Sequence, residues 1–267
     1  MCRLFGNITK EAVCINFSFF RALKPFRSLV KTNRDGWGIG WYKKGRARLF
    51  REGLEKVHNN INKYHFSKVK TVVSNIIISH VRDAIWGDNR TVNSQPIKYK
   101  NWLFAHNGDI HRTKAVAHLN NKYKKAVKGE TDSEVYFMLL MQNLERSGKL
   151  EEAVEKTVAI IKKYPATAMN FLLSDGKNLY AYRDYVARKR KHTLYYLVRD
   201  LAHNKPMKHA SRKTRQLLRS PHLHRKRTVL FCSEKLTDEN WLPIKKGMLI
   251  KTGKDLHVEL ININRSR

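Results

Sequence analysis

Between Asp35 and Tyr42 the chain reads DGWGIGWY, so that Gly36, Gly38 and Gly40 alternate with Trp37, Ile39 and Trp41. Successive side chains of a strand point to opposite faces. A strand here would be bulky and apolar on one face and bare on the other. A bare face leaves a void unless another backbone comes close to it. The motif therefore asks for a layered fold, with a second layer packed tightly on the glycine face. It is not a dinucleotide-binding fingerprint, because no helix follows the glycines.

The surrounding chain supplies the other layers. Residues 2–8 read as a short strand, and RARLF (Arg46 to Phe50) as the second arm of a hairpin after Lys43-Lys44-Gly45. IIISHVR (Ile76 to Arg82) and WLFAHNG (Trp102 to Gly108) are apolar strands that each finish in polar groups, with a polar loop from Trp86 to Lys100 between them. Helices are expected over 10–30 until Pro25, over 55–70 and over 113–123. A further one opens at Thr131, whose spacing to Glu134 is that of a capping box, and another covers 149–163. Strands return at 168–174, 178–183, 193–198, 227–233, 247–251 and 255–263. This mixed order fits a layered α+β domain better than a parallel βαβ fold. With no repeat and no Gly/Ser- or Pro-rich linker, one domain over 2–267 is the economical reading.

Composition narrows the setting. Fifty-four Lys and Arg against 22 Asp and Glu give a net charge of +32. Such a surface attracts nucleic acid, anionic lipid or acidic partners, or is simply solvated. Residues 183–227 concentrate the effect, with fifteen Lys or Arg, two acids and five His. They read as a basic insert between core strands. No apolar run is long enough to span a bilayer, and no signal peptide is evident. Three cysteines, Cys2, Cys14 and Cys232, make neither a disulfide framework nor a zinc spacing. A reducing cytoplasm is the expected location. Cofactor and metal are expected to be none.

Cys2 follows Met1 directly. Removal of the methionine would place a thiol and a free α-amine on one residue. The amine titrates at roughly 7.7–8.0 and the thiol at roughly 8.5. A nucleophile and its general base would then come from a single residue, and the ammonium form would lower the thiol pKa.

MCRLFG, DGWGIGWY, HVRDA, FAHNG, ETDSE and CSEKLTDENW occur in this order. Together they resemble the class II glutamine amidotransferases, the N-terminal-nucleophile hydrolases that begin with Cys. The likeness is strongest to their single-domain branch of yafJ-like proteins and γ-glutamyl hydrolases, and covers residues 2–183 and 227–251. It implies a four-layer αββα sandwich and hydrolysis of a γ-glutamyl amide through a thioester on Cys2, releasing glutamate and ammonia or an amine. Asn107 and Gly108 would form the oxyanion hole, the first with its side-chain NH₂ and the second with its backbone N–H. Outside that context Asn-Gly is a common hairpin turn. A glutamyl substrate also ends in a zwitterion. Arg82 suits its α-carboxylate, being planar and bidentate, and Asp132 suits its α-ammonium; the resemblance assigns these same roles.

Two positions depart from the family pattern. Ile85 stands where a Thr is usual, and Gln95 where a His is usual in Asn-x-His-Pro. Both put free glutamine as the substrate in question. Trp37, Trp41, Trp86 and Trp102 read as core before pocket, His80 and His106 as packed histidines, and Ser233-Glu234 as support for the site. Expected partners are glutamine or another γ-glutamyl small molecule, with a separate ammonia acceptor as an option. The competing reading is a non-enzymatic or nucleic-acid-associated basic protein that keeps the fold.

Overall fold

The computed structural model describes residues 2–14, 18, 22, 24, 26, 28, 35–53, 67–83, 87–186, 192–200, 211, 212, 214, 215 and 227–263. The strands are β1 (Arg3–Val13), β2 (Gly36–Lys43), β3 (Arg46–Gly53), β4 (Ser74–Arg82), β5 (Ile97–Tyr99) and β6 (Trp102–Asn107), followed by β7 (Asn170–Ser174), β8 (Leu179–Arg183), β9 (Tyr195–Asp200), β10 (Arg227–Cys232), β11 (Leu242–Pro243), β12 (Met248–Thr252) and β13 (Val258–Asn262). The helices are α1 (Ser67–Lys70), α2 (Arg112–Ala117), α3 (Asn121–Lys124), α4 (Asp132–Ser147) and α5 (Leu150–Ile161). The helix expected over 10–30 is overturned at its start, where residues 10–13 are strand, and most of the rest of it, like most of that expected over 55–70, lies outside the described residues. β1 runs on to Val13, past the expected end of the first strand.

Two antiparallel sheets result, one in the order β11-β9-β10-β1-β4-β2-β3 and the other β13-β12-β8-β7-β6-β5. Period-two patterning puts them face to face. Leu4, Ile8, Ile76 and Ile78 of the first sheet share a core with Leu103, Ala105, Leu172 and Ala181 of the second. The intervening residues face outward. Phe104, Phe171 and Tyr182 pack under α4 and α5. On the far side, Phe5, Trp37, Ile77 and Leu230 meet Phe26 and Val69. The expected four-layer αββα sandwich is the observed architecture.

The glycine face behaves as the sequence requires. A Cβ on Gly40 would come within 2.9 Å of Leu103 Cδ1, and one on Gly38 would collide with the carbonyl oxygen of Gln95. Trp37 on the opposite face is buried, and its Nε1 donates to Glu52 Oε2 at 2.8 Å.

Some local details differ from the sequence reading. The single helix expected over 113–123 is broken into α2 and α3. Gln142 of α4 reaches into the break, donating from Nε2 to His118 O (2.9 Å) and accepting the Asn120 N–H at Oε1 (2.7 Å). Asn120 in turn caps α3 by accepting from Tyr123 N. Thr131 caps α4 by accepting from Glu134 N at 3.3 Å. The other half of the box is rewired: Glu134 accepts from Lys128 N and Gly129 N instead. β5 and β11 are too short to show a period in the sequence. Within the basic stretch 183–227, β9 pairs along β10.

Gly38→Ala is expected to destabilise the protein by about 1–3 kcal/mol, because the added methyl meets backbone that cannot yield. Thermal melting compared with wild type tests this.

Candidate active site

β1 and β4 run antiparallel with Arg3 opposite Val81 and Leu4 opposite His80. The start of β1 and the end of β4 therefore meet at one end of the first sheet. There the Cys2 sulfur accepts from Asp83 N at 3.4 Å and its thiol donates to Asp83 O at 3.5 Å. The residues just after Cys2 are held from the other side. Leu4 N donates to Ser233 Oγ (2.9 Å), Ser233 N donates to Leu4 O (3.1 Å), and Arg3 pairs with Glu234 at 2.5 Å. Ser233 and Glu234 thus brace the start of β1 beside Cys2. The same loop is anchored by a buried bidentate pair from Arg199 to Glu239, at 2.9 and 2.6 Å.

Arg82, two residues from His80 along β4, is 3% exposed. Its Nη1 donates to Asp88 O at 2.7 Å and its Nη2 to Gly87 O at 3.1 Å. These backbone carbonyls fix the orientation of the guanidinium. Asp132 is the first residue of α4. Its Oδ2 accepts from Ile110 N (2.8 Å) and its Oδ1 from Ser133 N (2.8 Å). Burial raises its pKa, opposed by the field of His106 and by these backbone donors. The helix N-terminus also favours a carboxylate here.

Cys2, Arg82 and Asp132 are close enough for their charges to act on one another. Burial pushes the Cys2 thiol up to about 12. The positive amino terminus and Arg82 pull it back, while Asp109 and Asp132 add to the rise. Burial thus outweighs the cations and favours the neutral thiol.

The Asn107-Gly108 segment ends β6, with Asn107 opposite Asn170. Gly108 has φ +146°, and a Cβ there would strike the carbonyl of Ala168. No other residue fits. The dipeptide is therefore not a hairpin turn. It carries the chain past Ala168 to Asp109, whose charge reaches Cys2. Asn107 is buried and its Oδ1 has no hydrogen-bond partner. His106 braces this segment against α4, with Nδ1 at 2.9 Å from Ser133 Oγ and Nε2 at 3.1 Å from Ala168 O.

A pocket of about 470 Å³ adjoins these groups, lined by Gly87, Asp109, Ile110, His111, Arg112 and Glu130, among others. The sequence did not point to the backbone of Asp83, to Asp109 or to this pocket. Asp83 acts through its backbone, which residue type does not announce. Gln95 is tied to β6, its Oε1 accepting from His106 N at 2.7 Å. Ile85 and Trp86 lie outside the described residues. Among the described residues, no group of three or more His, Cys, Asp and Glu could hold a metal ion, and no helix is long and apolar enough to cross a membrane.

The glutamine amidotransferase class II family model matches residues 1–265. The chain belongs to the class II glutamine amidotransferases. Protein MJ1515 of Methanocaldococcus jannaschii is 32% identical over 205 residues, which cover 73% of this chain and 54% of that protein. The chain thus spans about half the length of that relative. The probable glutamine amidotransferase DUG3 of Saccharomyces cerevisiae is 26% identical, over 70% of this chain and 61% of its own length. Among solved structures, a glutamine aminotransferase class-II domain protein from Silicibacter pomeroyi superposes with a TM-score of 0.60 at 18% identity, covering 98% of this chain and 99% of that one. The glutamine phosphoribosylpyrophosphate amidotransferase of B. subtilis gives 0.64 at 15% identity, covering 99% of this chain and 50% of its own. At these identities the two structures speak for a shared amidotransferase fold.

His80 yields a pH prediction. It is fully buried, and desolvation, followed by Arg82 and His106, lowers its pKa to about 3. Below pH ~6.5 the unfolded chain takes up a proton at this residue that the folded protein refuses. Its contribution is thus complete above the unfolded pKa and is lost as pH falls toward 3. Stability should drop over that window by up to about 1.4 kcal/mol per pH unit from this residue. His80→Gln should flatten the drop, as read by denaturant melts at pH 7, 5.5 and 4.

Proposed function

We propose that this chain is a single amidotransferase domain that hydrolyses γ-glutamyl amides, glutamine or a larger γ-glutamyl compound, in the cytoplasm. The observation that carries this is the seating of the Cys2 sulfur on the Asp83 backbone, within the fields of Arg82 and Asp132.

After loss of Met1, the α-amine of Cys2 takes the thiol proton as the sulfur attacks the amide carbon. Asn107 Nδ2 and Gly108 N–H receive the negative charge that builds on the carbonyl oxygen. The C–N bond breaks and the amine returns its proton to the departing nitrogen, leaving a thioester. Water, deprotonated by the same amine, attacks the thioester and releases glutamate and the free thiol. Arg82 holds the α-carboxylate of the substrate and Asp132 its α-ammonium. The adjoining pocket gives a leaving group larger than ammonia somewhere to sit, with Arg112 and His111 on its wall. This supports a γ-glutamyl hydrolase over a donor of ammonia to a separate acceptor protein.

Intact-mass analysis after incubation with 6-diazo-5-oxo-norleucine tests the site. The expected result is a Met-free wild type carrying one adduct and a Cys2→Ala variant carrying none. Absence of an adduct on Met-free wild type would overturn the reading. Asp132→Asn should raise KM for the glutamyl substrate well over tenfold while lowering stability by only about 1–2 kcal/mol, the cost of leaving one of the two backbone N–H groups of Ile110 and Ser133 without its acceptor. Equal losses of binding and stability would count against the role of Asp132.

A further inference from the structure

Arg82 and Asp132 come from different elements, and a zwitterionic substrate must touch both. Their spacing must therefore be fixed by something between the loops that carry them. One buried side chain spans that gap. Asn93 is 1% exposed and closes a 3-10 turn over Thr91–Asn93. Its Nδ2 donates to Asp88 O at 3.2 Å and to Asp88 Oδ1 at 2.7 Å. The same Asp88 carbonyl accepts Arg82 Nη1. Asn93 Oδ1 accepts the N–H of Glu130 at 2.9 Å, two residues before Asp132.

The packing around it is equally close. A Cβ on Gly129 would come within 2.7 Å of Asn93 Oδ1, and one on Gly87 within 3.2 Å of Asn93 Nδ2. Gly129 N is itself held by Glu134 of α4 at 2.6 Å. A continuous path thus runs from the Arg82 guanidinium through the Asp88 carbonyl, the Asn93 amide and the Glu130 N–H to the start of α4. A second bridge, Arg90 to Asp88 and to Glu130, parallels it outside, but its groups are half exposed and solvent screens it.

We infer that Asn93 is a positioning residue that sets the distance between the carboxylate-binding Arg82 and the ammonium-binding Asp132, and so selects for a glutamyl α-amino acid group. An amide is suited to this, because it donates on one side and accepts on the other. The inference rests on the proposed glutamyl site, and the experiment separates the two.

Cys2 is alkylated with two reagents, 6-diazo-5-oxo-norleucine, which carries the α-amino acid group, and iodoacetamide, which does not. Wild type, Asn93→Ala and Asn93→Asp are compared. The Asp variant keeps the shape and the acceptor toward Glu130 but loses the donor toward Asp88. Both variants should react about tenfold or more slowly with the glutamine-shaped reagent, and within about twofold of wild type with iodoacetamide. Glutaminase assays should show a raised KM with kcat nearly retained. If both reagents slow by the same factor, or neither slows, Asn93 has no positioning role. If wild type reacts at Cys2 with iodoacetamide but not with the glutamine-shaped reagent, the glutamyl site itself is refuted, and this inference with it.

Discussion

The pairing of β1 with β4 is the constraint on which the site depends. Because the two strands are antiparallel, the first residue of one and the last of the other must lie at the same end of the sheet. Cys2 and the cation at residue 82 thereby become neighbours without any loop having to position them. β1 is also an interior strand, held by β10 on its other edge. Ser233 and Glu234, which follow β10, close the ladder just past the nucleophile. Cys2 is thus fixed by backbone on both sides.

The second sheet brings the complementary groups. β6 delivers Asn107 and Gly108, and the N-terminus of α4 delivers Asp132. His106 ties these two together through Ser133 and Ala168. The result places an anion, a cation and a neutral thiol in one desolvated region. Burying each alone is unfavourable. The backbone donors to Asp132 and the carbonyls around Arg82 offset part of that cost.

Much of this was legible in the residues. The alternating glycines announced a close sheet-to-sheet approach, and the polar ends of HVR and AHNG marked where the strands finish. The motif order identified the family. What stayed hidden depends on backbone or on distant side chains. Asp83 works through its N–H and carbonyl, which any residue possesses. The break between α2 and α3 is made by Gln142, more than twenty positions away. Gln95 stood out only as a departure from the family pattern, because its amide gives no hint that it accepts the N–H of His106.

That bond to Gln95 ties together parts of the molecule that otherwise look unrelated. Its main-chain oxygen rests on the bare face of β2 at Gly38, and its side chain grips β6 next to Asn107. One residue therefore gauges the gap between the sheets beside Asn107. Widening that gap from the glycine side would shift Asn107 and the segment after it without touching either, so the thickness of the sandwich and the place of that segment are set by the same contact.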